Sequence, residues 1–216
     1  MLGLILAGGS GTRLGLGEKP LVRVRDQPML WYVVQAFLEA GDEVFVVTTR
    51  KTPYTANWCR AQGIETVLTG GAGYIADIAE AAGALDLDTP FFTCGADLPC
   101  LTGTVIRSVA SAHQQSGRPA CSTWVPVSLR EVRGYSVHSS MLIEQIPVTP
   151  AGLNILDGSM MDQEQEELQL ICTDPALVCN VNTRGDLLLA EQDCRSRPSS
   201  PPPGMSARRW GLENQY

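Results

Sequence analysis

Lysine and histidine are scarce in this chain, and that scarcity narrows what it can do. Only Lys19 and Lys51 are lysines, and only His113 and His138 are histidines. The formal net charge of −7 argues against non-specific binding to nucleic acid. The seven cysteines (Cys59, Cys94, Cys100, Cys121, Cys172, Cys179 and Cys194) form no C-x-x-C pair. With so few histidines they make no zinc pattern, and they read as reduced, mostly buried thiols of a cytosolic protein. No run of apolar residues is long enough for a membrane span. No basic region precedes the N-terminal apolar stretch, and Gly8 cuts it short, so no signal peptide is expected and a cytoplasmic location is.

Of the 216 residues, 44% are hydrophobic, enough for one sizeable core. The expectation is a single domain over residues 1–194. Residues 195–216 are dominated by proline and serine and show no periodicity, so a disordered tail is expected there. Four arginines against Glu213 give that segment +3, leaving −10 on the rest. An anionic protein that binds an anionic ligand needs cations concentrated at the site.

Backbone donors and two cations fall so close together in one stretch, Leu4-Ile5-Leu6-Ala7-Gly8-Gly9-Ser10-Gly11-Thr12-Arg13-Leu14-Gly15-Leu16-Gly17-Glu18-Lys19-Pro20-Leu21. Residues 1–7 are apolar without alternation, the pattern of a strand buried on both faces of a parallel sheet. Gly8, Gly9 and Gly11 let the main chain approach a ligand, and successive N–H groups in such a turn make an anion-binding nest. Arg13 offers a planar fork to phosphate oxygens, and Lys19 a compact point charge. A Walker-A loop is excluded because Pro20 follows Lys19. The dinucleotide fingerprint is excluded because Gly15 falls one residue too late after Gly9 and Gly11. The stretch reads as a cradle for a nucleoside triphosphate.

The pattern that follows is β-α-β-α-β. Leu30, Val33, Val34, Phe37 and Leu38 recur at helical spacing after Pro28, and Gly41 stops them. Glu43–Thr49 is a buried strand, Thr52-Pro53 opens a helix to about Gly63, and residues 64–68 form a short strand. Gly70-Gly71-Ala72-Gly73 feeds a helix over residues 74–84; its backbone either borders the base or ribose or is an ordinary strand-to-helix turn. Pro90–Cys94 is another strand, ending in Gly95-Ala96-Asp97-Leu98-Pro99. An aspartate at a strand's carboxyl end, followed closely by proline, is placed to hold Mg²⁺ between phosphates, against the alternative of a turn or helix cap. A helix is expected from Thr102 to Ser116. Residues 118–156 read as strand-rich (120–127, 135–138 and 146–156), with Arg130, Arg133 and His138 as solvated surface residues. Residues 160–167 read as an acidic, solvated face or a helix start. Segments 168–172 and 176–181 read as strands, and 183–193 as a helix capped by Thr183.

L-A-G-G-x-G-T-R-x-G…K-P-L resembles the signature of nucleotidyltransferases that activate sugars, alcohols and cofactors. The resemblance implies a three-layer, Rossmann-like α/β fold with a mostly parallel central sheet. It implies that the loop of Leu6, Ala7, Gly8, Gly9, Gly11 and Thr12 wraps the triphosphate, with Arg13 and Lys19 stabilising phosphate charge. Residues 71–78 (G-A-G-Y-I-A-D-I), 148–156 and 179–191 resemble the archaeal-type adenosylcobinamide-phosphate guanylyltransferase family of coenzyme B12 assembly. That resemblance implies GTP and adenosylcobinamide phosphate as substrates and Mg²⁺ as cofactor. It also implies nucleotide contacts from Gly71, Gly73 and Asp97, and Asn180 or Asn182 beside Asp97 at the metal. It is compatible with a homodimer, for which no residue is decisive. G-A-D-L-P and N-V-N-T also resemble the molybdenum-cofactor guanylyltransferases, and a non-catalytic GTP-binding module is the reading from another class.

Overall fold

The structure, a computed structural model, describes residues 1–9 and 14–194. Its strands are β1 (Leu2–Leu6), β2 (Arg23–Val24), β3 (Gln27–Pro28), β4 (Glu43–Thr49), β5 (Thr66–Thr69), β6 (Pro90–Gly95), β7 (Ala120–Pro126), β8 (Met141–Ile143), β9 (Ile146–Asp157) and β10 (Glu167–Ile171). Its helices are α1 (Met29–Ala40), α2 (Pro53–Gln62), α3 (Tyr74–Ala84), α4 (Gly103–Ser116), α5 (Val127–Val132), α6 (Pro175–Val178) and α7 (Arg184–Asp193). The main sheet runs β10-β7-β9-β6-β1-β4-β5, with β8 on β9, and β2 and β3 form a separate antiparallel ribbon. β5, β4, β1 and β6 are mutually parallel, as are β7 and β10. β9 is antiparallel to both β6 and β7 and joins the two parallel blocks. The result is the α/β fold with a mostly parallel sheet that the sequence led us to expect.

The apolar runs of the central strands reflect burial on both faces. Along β1, Leu4 packs into one core and its neighbour Ile5 into the other. Val47 and Val46 of β4 divide in the same way, as do Phe91 and Phe92 of β6. One core is closed by α1, α2, α4, α6 and α7. The other is closed by Ile78, Ala81 and Ala82 of α3. Three layers follow. Gly3 has no Cβ because the ring of Phe37 lies against it, 2.7 Å from where a Cβ would stand.

The connectivity fixes where a ligand can bind. From β1 the chain moves outward through β4 and β5, then returns by α3, on the opposite face, to β6 on the other side of β1. The loops leaving β1 and β6 therefore diverge at their carboxyl ends and open a crevice, the usual ligand position in such sheets. The N-terminal half follows the expected elements within a residue or two. Helices α1, α2 and α4 each end at a left-handed glycine: Gly41, Gly63 and Gly117.

Two expectations for the C-terminal half need correction. Residues 176–181, read as a strand, begin as helix α6, which Asp174 caps by accepting from the Ala176 N–H at 2.9 Å. A short apolar run cannot by itself separate a buried strand from a buried helical turn. Residues 135–138 are irregular, and the strand lies further on as β8. The tail of residues 195–216 lies outside the described residues, as do Gly11, Thr12 and Arg13 of the glycine-rich loop.

Phe37 is fully buried and meets Phe92 edge-to-face at 5.6 Å, linking α1 to the central strand β6. Phe37→Ala should destabilise the domain by about 3–5 kcal/mol. A drop in the urea midpoint at unchanged slope would show it, and a midpoint within error of wild type would contradict this packing.

Candidate active site

A cavity of about 610 Å³ lies in the crevice, lined by Leu6 at the end of β1 and Ala7, Gly8, Gly9 and Lys19 after it, Gly71 and Gly73 of the second loop, Tyr74 and Asp77 of α3, Gly95 at the end of β6 and Ala96 and Asp97 after it, Pro150, Gly152 and Asn154 of β9, and Asn180. Among the described residues, the structure thus gathers most of the expected site around one space.

The centre of the arrangement is the Lys19 ammonium. Its Nζ donates to Asp97 Oδ2 at 2.6 Å and to Asn182 Oδ1 at 2.8 Å. Lys19 and Asp97 keep side-chain exposures of 20% and 21%, so both reach the cavity from partly buried positions. Asn182 Nδ2 donates in turn to Asn180 Oδ1 at 2.5 Å. The two asparagines therefore have different places. Asn180 lines the cavity, and Asn182 ties Asn180 to Lys19.

Each member is held from behind. Glu18 accepts from the N–H groups of Tyr54 and Thr55 at 2.9 and 2.7 Å and from the Thr55 hydroxyl at 2.6 Å. Thr52, at the N-cap of α2, makes no side-chain cap, so Glu18 supplies the acceptors that these first-turn donors lack and pins the backbone next to Lys19. The Val181 N–H donates to the Asp97 carbonyl at 3.0 Å, stitching together the loops that carry Asp97 and the asparagines. Arg184 Nε reaches the carbonyl of Leu14 at 3.3 Å, fixing the far end of the glycine-rich loop to α7.

Two residues were not singled out from the sequence. Asp186 is 1% exposed and accepts from the N–H groups of Ser136, Asn182 and Thr183 and from the Ser136 hydroxyl, all within 3.0 Å. Burial by itself would raise its pKa, but the Ser136 donors and those of Asn182 and Thr183 outweigh it and hold it below the ordinary value. The signal was present: Thr183-Arg184-Gly185-Asp186 is a capping box, and both of its hydrogen bonds form. Arg130, expected on the surface, is 3% exposed. Its Nη2 donates to the Asn180 carbonyl at 3.2 Å, and its guanidinium lies 5.8 Å from the centre of the Tyr135 ring. Burial lowers its pKa, opposed first by the charge of Asp186. It lies on α5, a helix the sequence pattern did not reveal. Arg133 and His138 are exposed as expected.

The two glycine loops meet across Thr49 at the end of β4. The Thr49 hydroxyl donates to the Gly8 carbonyl at 3.1 Å. A Cβ on Gly8 would collide with its methyl group, and a Cβ on Gly71 would stand 3.3 Å from Thr49 Cβ. Gly71 also has φ +73°, a conformation that favours glycine. The second loop is thus a wall of the cavity, closed by Lys51 Nζ donating to the Gly71 carbonyl at 3.2 Å.

A cation from the first loop, a carboxylate at the end of a parallel strand and glycine backbone on two sides thus surround one cavity. The chain belongs to the MobA-like NTP transferase domain family, whose model matches residues 3–197. It is a nucleotidyltransferase by family. It is 29% identical over 196 residues to the adenosylcobinamide-phosphate guanylyltransferase of Methanocaldococcus jannaschii, covering 87% of this chain and 94% of that protein. Over 127 residues it is 30% identical to a probable molybdenum cofactor guanylyltransferase of Thermococcus kodakarensis, covering 56% of this chain and 58% of that one. Among solved structures, a CMP:2-keto-3-deoxy-manno-octonic acid synthetase complexed with CTP superposes with a TM-score of 0.66 at 15% identity, over 88% of this chain and 96% of that one. A hypothetical transferase from Thermus thermophilus gives a TM-score of 0.65 at 18% identity, over 87% and 100%. At these identities the structural likeness speaks for the fold.

Asp186→Asn should lower stability by about 1–3 kcal/mol at neutral pH, because an amide cannot accept all the donors that the carboxylate accepts. Since the folded pKa is depressed, the wild-type advantage is full above the ordinary carboxylate range and lost as pH falls through the folded value. Thermal unfolding of both proteins from pH 7 down to pH 3 should show the gap closing on acidification; a gap independent of pH would contradict the charge-based account.

Proposed function

We propose that the protein transfers GMP from GTP to adenosylcobinamide phosphate, giving adenosylcobinamide-GDP and pyrophosphate. The observation that carries the reading is the union of a cation-and-carboxylate nucleotide cavity with similarity to a cobinamide-phosphate guanylyltransferase along 94% of that relative's length. The molybdenum-cofactor relative aligns over only 58% of its own.

The chemistry asks little of general acid–base catalysis. A terminal phosphate oxygen of the acceptor, already anionic near neutral pH, attacks the α-phosphorus of GTP. The new P–O bond forms as the bond to the β-phosphate's bridging oxygen breaks, and pyrophosphate departs in line with the electron pair. The obstacle is bringing two anions together, so positioning and charge neutralisation carry the rate. Lys19, held in place by Asp97 and Asn182, is aimed at the phosphates; Arg13 serves beside it in this reading. The backbone at Gly8 and Gly9 gives close approach to the phosphates.

The donor set suits Mg²⁺, a hard cation that is commonly bound through one or two carboxylates and substrate phosphates. Asp97 supplies the carboxylate, Asn180 a carboxamide oxygen on the cavity wall, and Asn182 orients Asn180. Among the described residues no group of three or more His, Cys, Asp or Glu side chains forms a closed metal cage. When bound, the ion would offset negative charge on the phosphates. Lys19 engages only Oδ2 of Asp97, so Oδ1 would serve the ion while the ammonium stays in place.

Pyrophosphate release from Mg-GTP, measured in parallel with adenosylcobinamide phosphate and molybdopterin and with ATP as control donor, tests the assignment. Release with GTP and the corrin acceptor alone is expected. Release with molybdopterin alone would transfer the protein to that acceptor, and GTP binding with no release for any acceptor would favour a binding module. Lys19→Ala should lower turnover by about 10²–10³ with the fold intact. Asp97→Ala should move the Mg²⁺ titration to higher concentration; an unchanged titration would remove Asp97 from the metal site.

A further inference from the structure

The cavity has two chemically distinct ends. Lys19, Asp97 and Asn180 mark the phosphate end. The other is bounded by Leu6 at the end of β1, by Val47 of β4 and by the second glycine loop with Lys51 bonded to it. At that second end stands a carboxylate that the phosphate chemistry does not use. Asp77, in the first turn of α3, is 9% exposed and lines the cavity. Its Oδ1 accepts the Gly71 N–H at 2.9 Å, which fixes the carboxylate plane. Its Oδ2 accepts no hydrogen bond among the described residues, and the residue lines the cavity, so the carboxylate keeps acceptor capacity for a ligand there.

Lys51 is engaged by the Gly71 carbonyl, and a carboxylate that repels phosphate but accepts N–H donors suits the base. Guanine presents two adjacent donors on its Watson–Crick edge, the N1–H and the 2-amino group, which match a carboxylate oxygen for oxygen. Adenine presents the N1 lone pair at the same place and would leave the buried carboxylate unpaired against another acceptor. Polar sites reject ligands that leave their groups unsatisfied far more strongly than apolar pockets reject a size change.

We propose that Asp77 is the residue that selects guanine, reading N1–H and the 2-amino group while Gly71 holds it in register. The inference rests on the guanylyl-donor reading above, and it predicts discrimination that is built into binding, before any acceptor is present.

The test is equilibrium binding of GTP, ITP, ATP and XTP to the full chain without acceptor. Wild type should prefer GTP over ATP, and ITP, which lacks the 2-amino group, should bind on the order of tenfold more weakly than GTP. Asp77→Asn keeps an oxygen for the Gly71 N–H but turns an amide donor toward the base. It should lose GTP affinity by about 10–100-fold and gain affinity for XTP, whose 2-oxo group accepts. Equal binding of ITP and GTP by wild type would overturn the proposal without any variant, as would a folded Asp77→Asn protein with the wild-type ratio of GTP to XTP. Wild type that does not distinguish GTP from ATP would instead overturn the guanylyl-donor reading.

Discussion

An ammonium held between a carboxylate and a carboxamide, Lys19 between Asp97 and Asn182, is the contact on which the rest of the site depends. The three residues come from the first loop, the end of β6 and the approach to α7. A flexible lysine is a poor electrostatic catalyst when free to wander, because its reorganisation opposes the stabilisation it offers. Here Glu18, bonded to the first turn of α2, pins the backbone beside Lys19, and the partners are held by Asp186, Arg130 and the backbone bond from Val181 to Asp97. The protein thus spends buried charges and capping groups on holding a single cation in place.

The sheet explains why these segments can meet. The reversal of strand order at β1 opens the crevice, and the glycines at its rim let backbone approach where side chains would not fit. β9, antiparallel within an otherwise parallel neighbourhood, places Pro150, Gly152 and Asn154 on the wall beside Asp97. One wall therefore comes from the parallel block of β1, β4 and β6, and another from the antiparallel strand β9.

The legible parts of the sequence were those in which one strong pattern decides. The unbroken apolar runs of β1, β4 and β6, the helical spacing of α1 and the glycine stops told the same story locally as the fold does globally. Lys19, Asp97 and glycines of both loops were expected around one space, and they line one cavity. The C-terminal half was harder. Ala176–Val178 is apolar and short, and its helical character rests on the cap at Asp174. Arg130 resembled a surface residue because the acids that make its burial tolerable are far away in sequence. Asn182 and Asn180 could be ranked only once hydrogen bonds showed which of them faces the cavity.

The distance along the chain between the parts of the site has a consequence for biosynthesis. Asn182 lies 163 residues after Lys19. Folding begins on the ribosome from the N-terminal side, and the parallel block of β1, β4, β5 and β6 is complete long before Asn182 and Asp186 emerge. A nascent chain at that stage owns its glycine loops and an unsupported lysine, with nothing to set the ammonium or close the wall around Asn180. The hydrogen bonds that set Lys19 therefore form late in synthesis, once the segment around Asn182 has emerged.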